Sequence, residues 1–223
     1  MRRLLTVTMA LGLVITAMNF TGIFAIFTDR ATTGTNSEES GVQPRIADLL
    51  IADSGNSDCT DAVFTDDLET GLFDVSDIVP GGAADQVARI CLKNAGTATL
   101  TVTTTAIDLV ETETGCTGDE AAAGDLTCGT EGIGDGELGS VLITELGIFD
   151  CTEGFDIGDF VRASVEDLAA SPHALGTIEP GAVACVFVDT VFAMPGVFAT
   201  SDEVQQAQSD KVTWRYAFDG TAS

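Results

Sequence analysis

The residues of this chain whose types and spacing could carry chemistry are six cysteines, one histidine and a large surplus of carboxylates. Cys59, Cys91, Cys116, Cys128, Cys151 and Cys185 include no Cys-x-x-Cys pair, the spacing a zinc–thiolate site draws on. Their expected chemistry is therefore oxidative pairing, and an even number of cysteines fits a disulfide framework formed outside the reducing cytosol. Spacing does not choose among the possible pairings. The bridge favoured is Cys116 with Cys128, which flank a single glycine- and acid-rich loop. His173, in Ser171-Pro172-His173-Ala174, is the sole histidine and reads as a loop residue rather than a base or ligand. The sequence contains no His-Glu-x-x-His, Gly-x-Ser-x-Gly or phosphate-cradling glycine motif, and cysteines committed to bridges leave no Cys-His nucleophile. With 35 Asp and Glu residues, carboxylate pairs suited to glycoside hydrolysis arise by chance. Two runs could offer oxygens to calcium, Asp156-Ile157-Gly158-Asp159 and the stretch from Asp58 to Asp67. Neither follows EF-hand spacing, so both are expected to be solvated acidic loops. No catalytic, cofactor-binding or metal-binding residue is assigned, and no cofactor is expected.

The elements that must position these residues begin behind a leader. Arg2 and Arg3 precede a run from Leu4 to Phe27 with no charged side chain, the pattern of a secretory signal. Small Ala25 places cleavage between Ala25 and Ile26, giving a signal peptide at 1–25. The competing reading is a retained anchor, since the run is long enough to span a bilayer, although Thr6, Thr8, Thr16, Asn19 and Thr21 dilute it. After cleavage no stable membrane association is expected, and signal peptidase is the partner during export. An extended segment at 26–43, poor in large apolar side chains, leads into one folded domain at 44–223. The net charge of −26 becomes −28 without Arg2 and Arg3, a surface that repels phosphate backbones, so nucleic acid is excluded as a partner. The localisation expected is secreted, extracellular or at the cell surface.

The folded part reads as all-β. Ile46, Leu49, Leu50 and Ile51 form a first apolar cluster ahead of the turn Asp53-Ser54-Gly55-Asn56, and a strand is expected around Leu72 to Val79. Val87 to Lys93 and Ala98 to Ile107, separated by Asn94-Ala95-Gly96-Thr97, predict a β-hairpin with Ala88, Ile90 and Leu92 inward. Glu111 to Gly139 reads as a long surface insertion closed by its cysteines. Further strands are predicted at Ser140 to Phe149, Phe160 to Val165, Val183 to Phe192 and Lys211 to Phe218, where Val212, Trp214 and Tyr216 alternate with Thr213 and Arg215. One short helix is predicted over Asp202 to Gln208 with Ser201 as N-cap. These elements predict an antiparallel jelly-roll-like β-sandwich with short helices and long acidic loops. An immunoglobulin framework is disfavoured because Trp214 follows every cysteine.

Several segments together resemble the TasA/camelysin family of exported biofilm-matrix proteins. They are Gly22-Ile23-Phe24-Ala25-Ile26-Phe27-Thr28-Asp29, Thr32-Thr33-Gly34-Thr35-Asn36 and Arg45-Ile46-Ala47-Asp48-Leu49-Leu50-Ile51. Ile78-Val79-Pro80-Gly81 before Lys93-Asn94-Ala95-Gly96, Ile178-Glu179-Pro180-Gly181, and Glu203-Val204-Gln205-Gln206 through Lys211-Val212-Thr213-Trp214 agree as well. The chain departs from the family at Glu38-Glu39-Ser40-Gly41, in its six cysteines and in its acidic insertion. The resemblance implies a jelly-roll subunit, cleavage by a dedicated type I signal peptidase and polymerisation into extracellular fibres by strand exchange. The expected function is thus a secreted structural subunit, a homopolymer and not an enzyme. The donor strand expected is the segment carrying Ile26, Phe27, Thr28, Thr32, Thr33 and Thr35. The alternatives are a secreted metal-dependent hydrolase of the camelysin type, for which no ligand constellation is visible, and a monomeric surface adhesin.

Overall fold

A computed structural model describes residues 27–29, 46–53, 59–68, 73–76, 83–129, 132–134, 136–151, 160–193, 196–197 and 199–222. The cleavage junction Ala25–Ile26, the threonines Thr32, Thr33 and Thr35, and the Asp156 to Asp159 run lie outside the described residues. In chain order the first elements are β1 (Phe27–Asp29), β2 (Leu49–Asp53), β3 (Asp67–Leu68), β4 (Phe73–Ser76), β5 (Ala83–Asn94) and β6 (Leu100–Glu113). Then come α1 (Gly118–Ala123), β7 (Gly132–Ile133), α2 (Leu138–Val141), β8 (Leu142–Phe149), β9 (Val161–Ser164) and α3 (Val165–Ala170). The chain closes with β10 (His173–Ile178), β11 (Val183–Phe192), α4 (Ser201–Gln206) and β12 (Lys211–Ala222).

These strands form two sheets. The first runs β10-β6-β12-β1-β3, with β4 also on β12 and β7 on β6; the second runs β2-β5-β11-β8-β9. Pairing is antiparallel except for β1, which lies parallel to β12. One continuous core joins them: Leu49, Ile90, Leu92, Val186 and Val188 from the second sheet meet Phe73, Val102, Trp214 and Phe218 from the first. The alternation read at Val212, Trp214 and Tyr216 points these side chains inward, and all three are fully buried. Phe73 stacks on Trp214 and meets Tyr216 edge-on, each at 5.1 Å between ring centroids. Truncating Trp214 to alanine would forfeit about 3–5 kcal/mol, the usual range for a buried aromatic. The Tyr216 hydroxyl donates to Thr144 Oγ1 at 3.0 Å, so the one polar atom this ring carries into the core is satisfied across the sandwich.

The expected β5–β6 hairpin does not form. β5 pairs with β2 and β11 in one sheet, β6 with β10 and β12 in the other, so Asn94-Ala95-Gly96-Thr97 is a corner that carries the chain between sheets. Asn94 decides this. It is wholly buried, its Nδ2 donates to the carbonyls of Ala98 (2.8 Å) and Ile178 (2.9 Å), and its Oδ1 accepts from the Gly96 amide. Gly96 passes so close to the next segment that a Cβ would lie 2.5 Å from the Ile46 carbonyl oxygen. Locally the sequence looks like a hairpin turn; the side-chain bonds to distant carbonyls make it a corner.

Three other expectations change. His173 opens β10, opposite Thr104, rather than lying in a loop, because its neighbours pair with β6. The N-cap of α4 is Thr200, not Ser201, since Thr200 Oγ1 accepts from the Glu203 amide and Glu203 reaches back to the Thr200 amide. The insertion from Glu111 is also not a plain surface loop: β6 runs on to Glu113, and α1, β7 and α2 fold back over the end of the sandwich.

Candidate metal centre

The end of the sandwich where β6, β12 and this insertion meet gathers carboxylates, and a β-bulge puts them there. Up to Ala106 the even positions of β6 are buried: Leu100, Val102, Thr104 and Ala106. Between Ile107 and Val110 two residues of β6 oppose a single residue of β12, with Asp108 in the left-handed region at φ 51°. A bulge of one residue exchanges the faces of everything beyond it. Leu109, Glu111 and Glu113 therefore turn inward, and Glu113 is 1% exposed. Arg215 holds the bulge through an ion pair with Asp108.

Three other segments bring carboxylates to Glu113. Asp125 follows α1, Glu137 precedes α2, and Asp210 precedes β12. Gly136 permits the approach, for a Cβ there would sit 3.0 Å from the Thr112 backbone and 3.1 Å from Asp210 Cγ. One oxygen each from Glu113, Asp125 and Glu137 lie within 4.8 Å of one another. The Thr127 hydroxyl stands among them, 2.7 Å from Asp125 Oδ1 and 3.4 Å from oxygens of both Glu113 and Glu137. The Glu137 amide donates to Asp210 Oδ2. Asp210 is completely buried, and its Oδ1, together with Asp125 Oδ2 and Glu137 Oε2, has no hydrogen-bond partner.

This crowding shows in the acidities. Burial, then the charges of Asp125 and Asp210, push the Glu137 carboxyl up to about 8. Burial likewise raises Asp210, to about 6; the Glu137 amide pulls it down, and the charges of Glu113 and Glu120 push it up. Glu111 is also raised by burial, partly offset by the bond it accepts from the Gly139 amide at 2.7 Å. Glu120, wholly buried, is the contrast. Its oxygens accept from the Thr117 amide in the capping box of α1 and from the amide and hydroxyl of Ser209, both at 2.6 Å, so it docks the helix and is spent. An all-oxygen group of this kind can hold a hard divalent cation. Sequence reasoning missed it because its members stand at 113, 125, 137 and 210 with no motif linking them; a bulge cannot be read from alternation alone. Of the acidic stretch from Asp58 to Asp67, Asp61 and Asp66 are exposed and belong to no such cluster among the described residues.

All six cysteines are paired: Cys59 with Cys91, Cys116 with Cys128, and Cys151 with Cys185, at Cα separations of 5.9, 4.8 and 5.1 Å. Cys116–Cys128 closes the loop that carries Asp125 and Thr127. Cys91 and Cys185 stand opposite each other on β5 and β11, so their two bridges lie side by side, with Cys59 Sγ 3.1 Å from Cys185 Sγ. Together they staple the segments bearing Cys59 and Cys151 over one face of the second sheet, in a small cluster with Ala52, Phe64 and Phe149. Such a framework fits an oxidising, extracytoplasmic environment. No helix among the described residues is long and apolar enough to cross a membrane.

Of the expected donor-strand residues, Phe27 and Thr28 fall in β1. This strand occupies a slot in the first sheet, with Phe27 and Thr28 opposite Tyr216 and Ala217 of β12 on one side and opposite Leu68 and Asp67 of β3 on the other. No family model, curated protein or solved structure matches the chain.

Proposed function

We propose that this protein is an exported structural subunit that polymerises into an extracellular fibre or biofilm matrix by exchanging its N-terminal strand, on a jelly-roll sandwich stapled by disulfides. The observation that carries the reading is the place of β1: three residues at the N-terminal end of the described chain, inserted between β12 and β3 and paired to both. A slot that accepts a strand from its own chain accepts the same strand from a neighbour. The backbone bonds formed are identical, so exchange costs little beyond the lost freedom of the subunits. Threonine-rich Ile26 to Thr35 suits extended backbone and has little apolar mass with which to fold alone. The resemblance to exported matrix proteins at the junction and at both ends of the chain points the same way, and three disulfides fit an extracellular building block. In this reading the subunit needs no catalytic residue.

The test is truncation. Protein lacking Ile26 to Glu38 should remain folded and soluble yet form no fibres by electron microscopy. The same segment added as a peptide should block growth of the intact mature protein. Fibres of unchanged width from the truncated protein would exclude this segment as the donor.

A further inference from the structure

We propose that Glu113, Asp125 and Glu137, with Asp210 behind them and Thr127 among them, bind a calcium ion that ties the insertion to the end of the sandwich. The inference stands apart from the assembly reading and rests on an imbalance in the cluster. Three carboxylates converge on one hydroxyl, yet Thr127 Oγ1 carries a single hydrogen and lies nearest Asp125. Backbone amides answer one oxygen each of Asp125 (from Thr127), Glu113 (from Gly115) and Asp210 (from Glu137), and the single hydroxyl hydrogen cannot answer those that remain. Three further oxygens, on Asp125, Glu137 and the fully buried Asp210, lie out of reach of solvent with no donor from outside the carboxyl cluster itself. Buried carboxylate oxygens left without a partner are costly unless a proton or a cation answers them. Three cationic side chains are held in ion pairs elsewhere: Arg162 with Glu145, Lys211 with Asp74, and Arg215 with Asp108.

The donor set selects the ion. Every available atom is oxygen, and the neighbouring sulfurs of Cys116 and Cys128 are committed to a disulfide, so softer metals that draw on thiolate or imidazole are disfavoured. Carboxylates from loops of different length, able to bind through one oxygen or two, suit the larger and more irregular shell of calcium. Magnesium demands a tighter octahedron and retains its waters. Asp125 and Thr127 lie in the loop closed by the Cys116–Cys128 bridge, Glu113 on β6, Glu137 before α2 and Asp210 before β12. An ion at their centre would therefore join four separate segments.

The mature secreted chain, stripped with chelator and returned to buffer at physiological salt, should take up one calcium ion per chain in calorimetry. Its unfolding temperature should rise on addition of calcium, and magnesium at the same concentration should do far less. Glu137→Gln and Asp125→Asn should each weaken calcium uptake at least tenfold. Because they also relieve repulsion, they should leave the metal-free protein as stable as before or more so, which no purely structural role for these side chains would produce. Asp61→Asn, on an exposed residue away from the cluster, serves as the control and should change nothing. Weak, multiple uptake that salt abolishes and that Glu137→Gln leaves unaltered would mean diffuse counterion binding only, and would overturn the site.

Discussion

At the scale of single residues, the carboxyls of Glu137 and Asp210 control how the metal-free protein responds to pH. Both are raised above their ordinary values, to about 8 and about 6, by burial and by the negative charges around them. Those charges are Asp125 and Glu113 for Glu137, and Glu113 and Glu120 for Asp210, with each of the pair facing the other. The folded state therefore holds protons that the unfolded chain releases at the ordinary carboxylate values near 4.5 and 3.8. Such a group contributes its full stability below the unfolded value and loses it as pH rises through the folded one. Chelator-treated protein should thus be more resistant to urea at pH 5 than at pH 8.5, with the decline beginning near the unfolded values of 3.8 and 4.5, Asp210 contributing to it up to about 6 and Glu137 up to about 8. In Glu137→Gln the upper part of that decline should be absent, which separates this pair from the general repulsion of an acidic chain. A urea midpoint that rises over the same interval would show that neither carboxyl is raised.

At the scale of elements, much of the fold can be read directly and one decisive part cannot. β11 falls on the run expected from Val183 to Phe192, and β12 shows the inward alternation at Val212, Trp214 and Tyr216, because amphipathic strands in a half-buried sheet advertise their period. The corner at Asn94 and the bulge at Asp108 were hidden for the same physical reason. Each depends on bonds to residues far along the chain, Ile178 in one case and Arg215 in the other. The bulge then determines the candidate centre, since Glu111 and Glu113 face inward only after it. His173 as a strand residue and α1 inside the insertion were likewise settled by pairing and packing with remote elements. The Cys116–Cys128 bridge, suggested by its loop, also has a measurable role. It spans 12 residues, and replacing both cysteines by serine should lower stability by about 3 kcal/mol through the freed unfolded chain. Calcium affinity should fall with it, as Asp125 and Thr127 lose their fixed approach. A double serine variant with unchanged urea midpoint would show that the capping box of α1 and Glu120 hold the loop without it.

At the scale of the whole molecule, a chain of net charge −26 assembles only where its contacts avoid or neutralise that charge. Backbone pairing in the β1 slot does so, for a strand exchange is made of amide and carbonyl groups rather than side-chain charges. The register supplies the most direct measurement of the proposed assembly. Thr28 on β1 stands opposite Ala217 on β12, so Thr28→Cys and Ala217→Cys combined in one chain should come within bridging distance wherever that strand sits. In soluble monomer the new bridge should close within a chain. Fibres grown under reducing conditions mild enough to spare the three native bridges, then oxidised, should give a ladder of covalent dimers, trimers and higher multimers on a non-reducing gel. Fibres that yield only internally bridged single chains would contradict strand exchange, because β1 would then remain in its own sheet while the subunits joined by another surface.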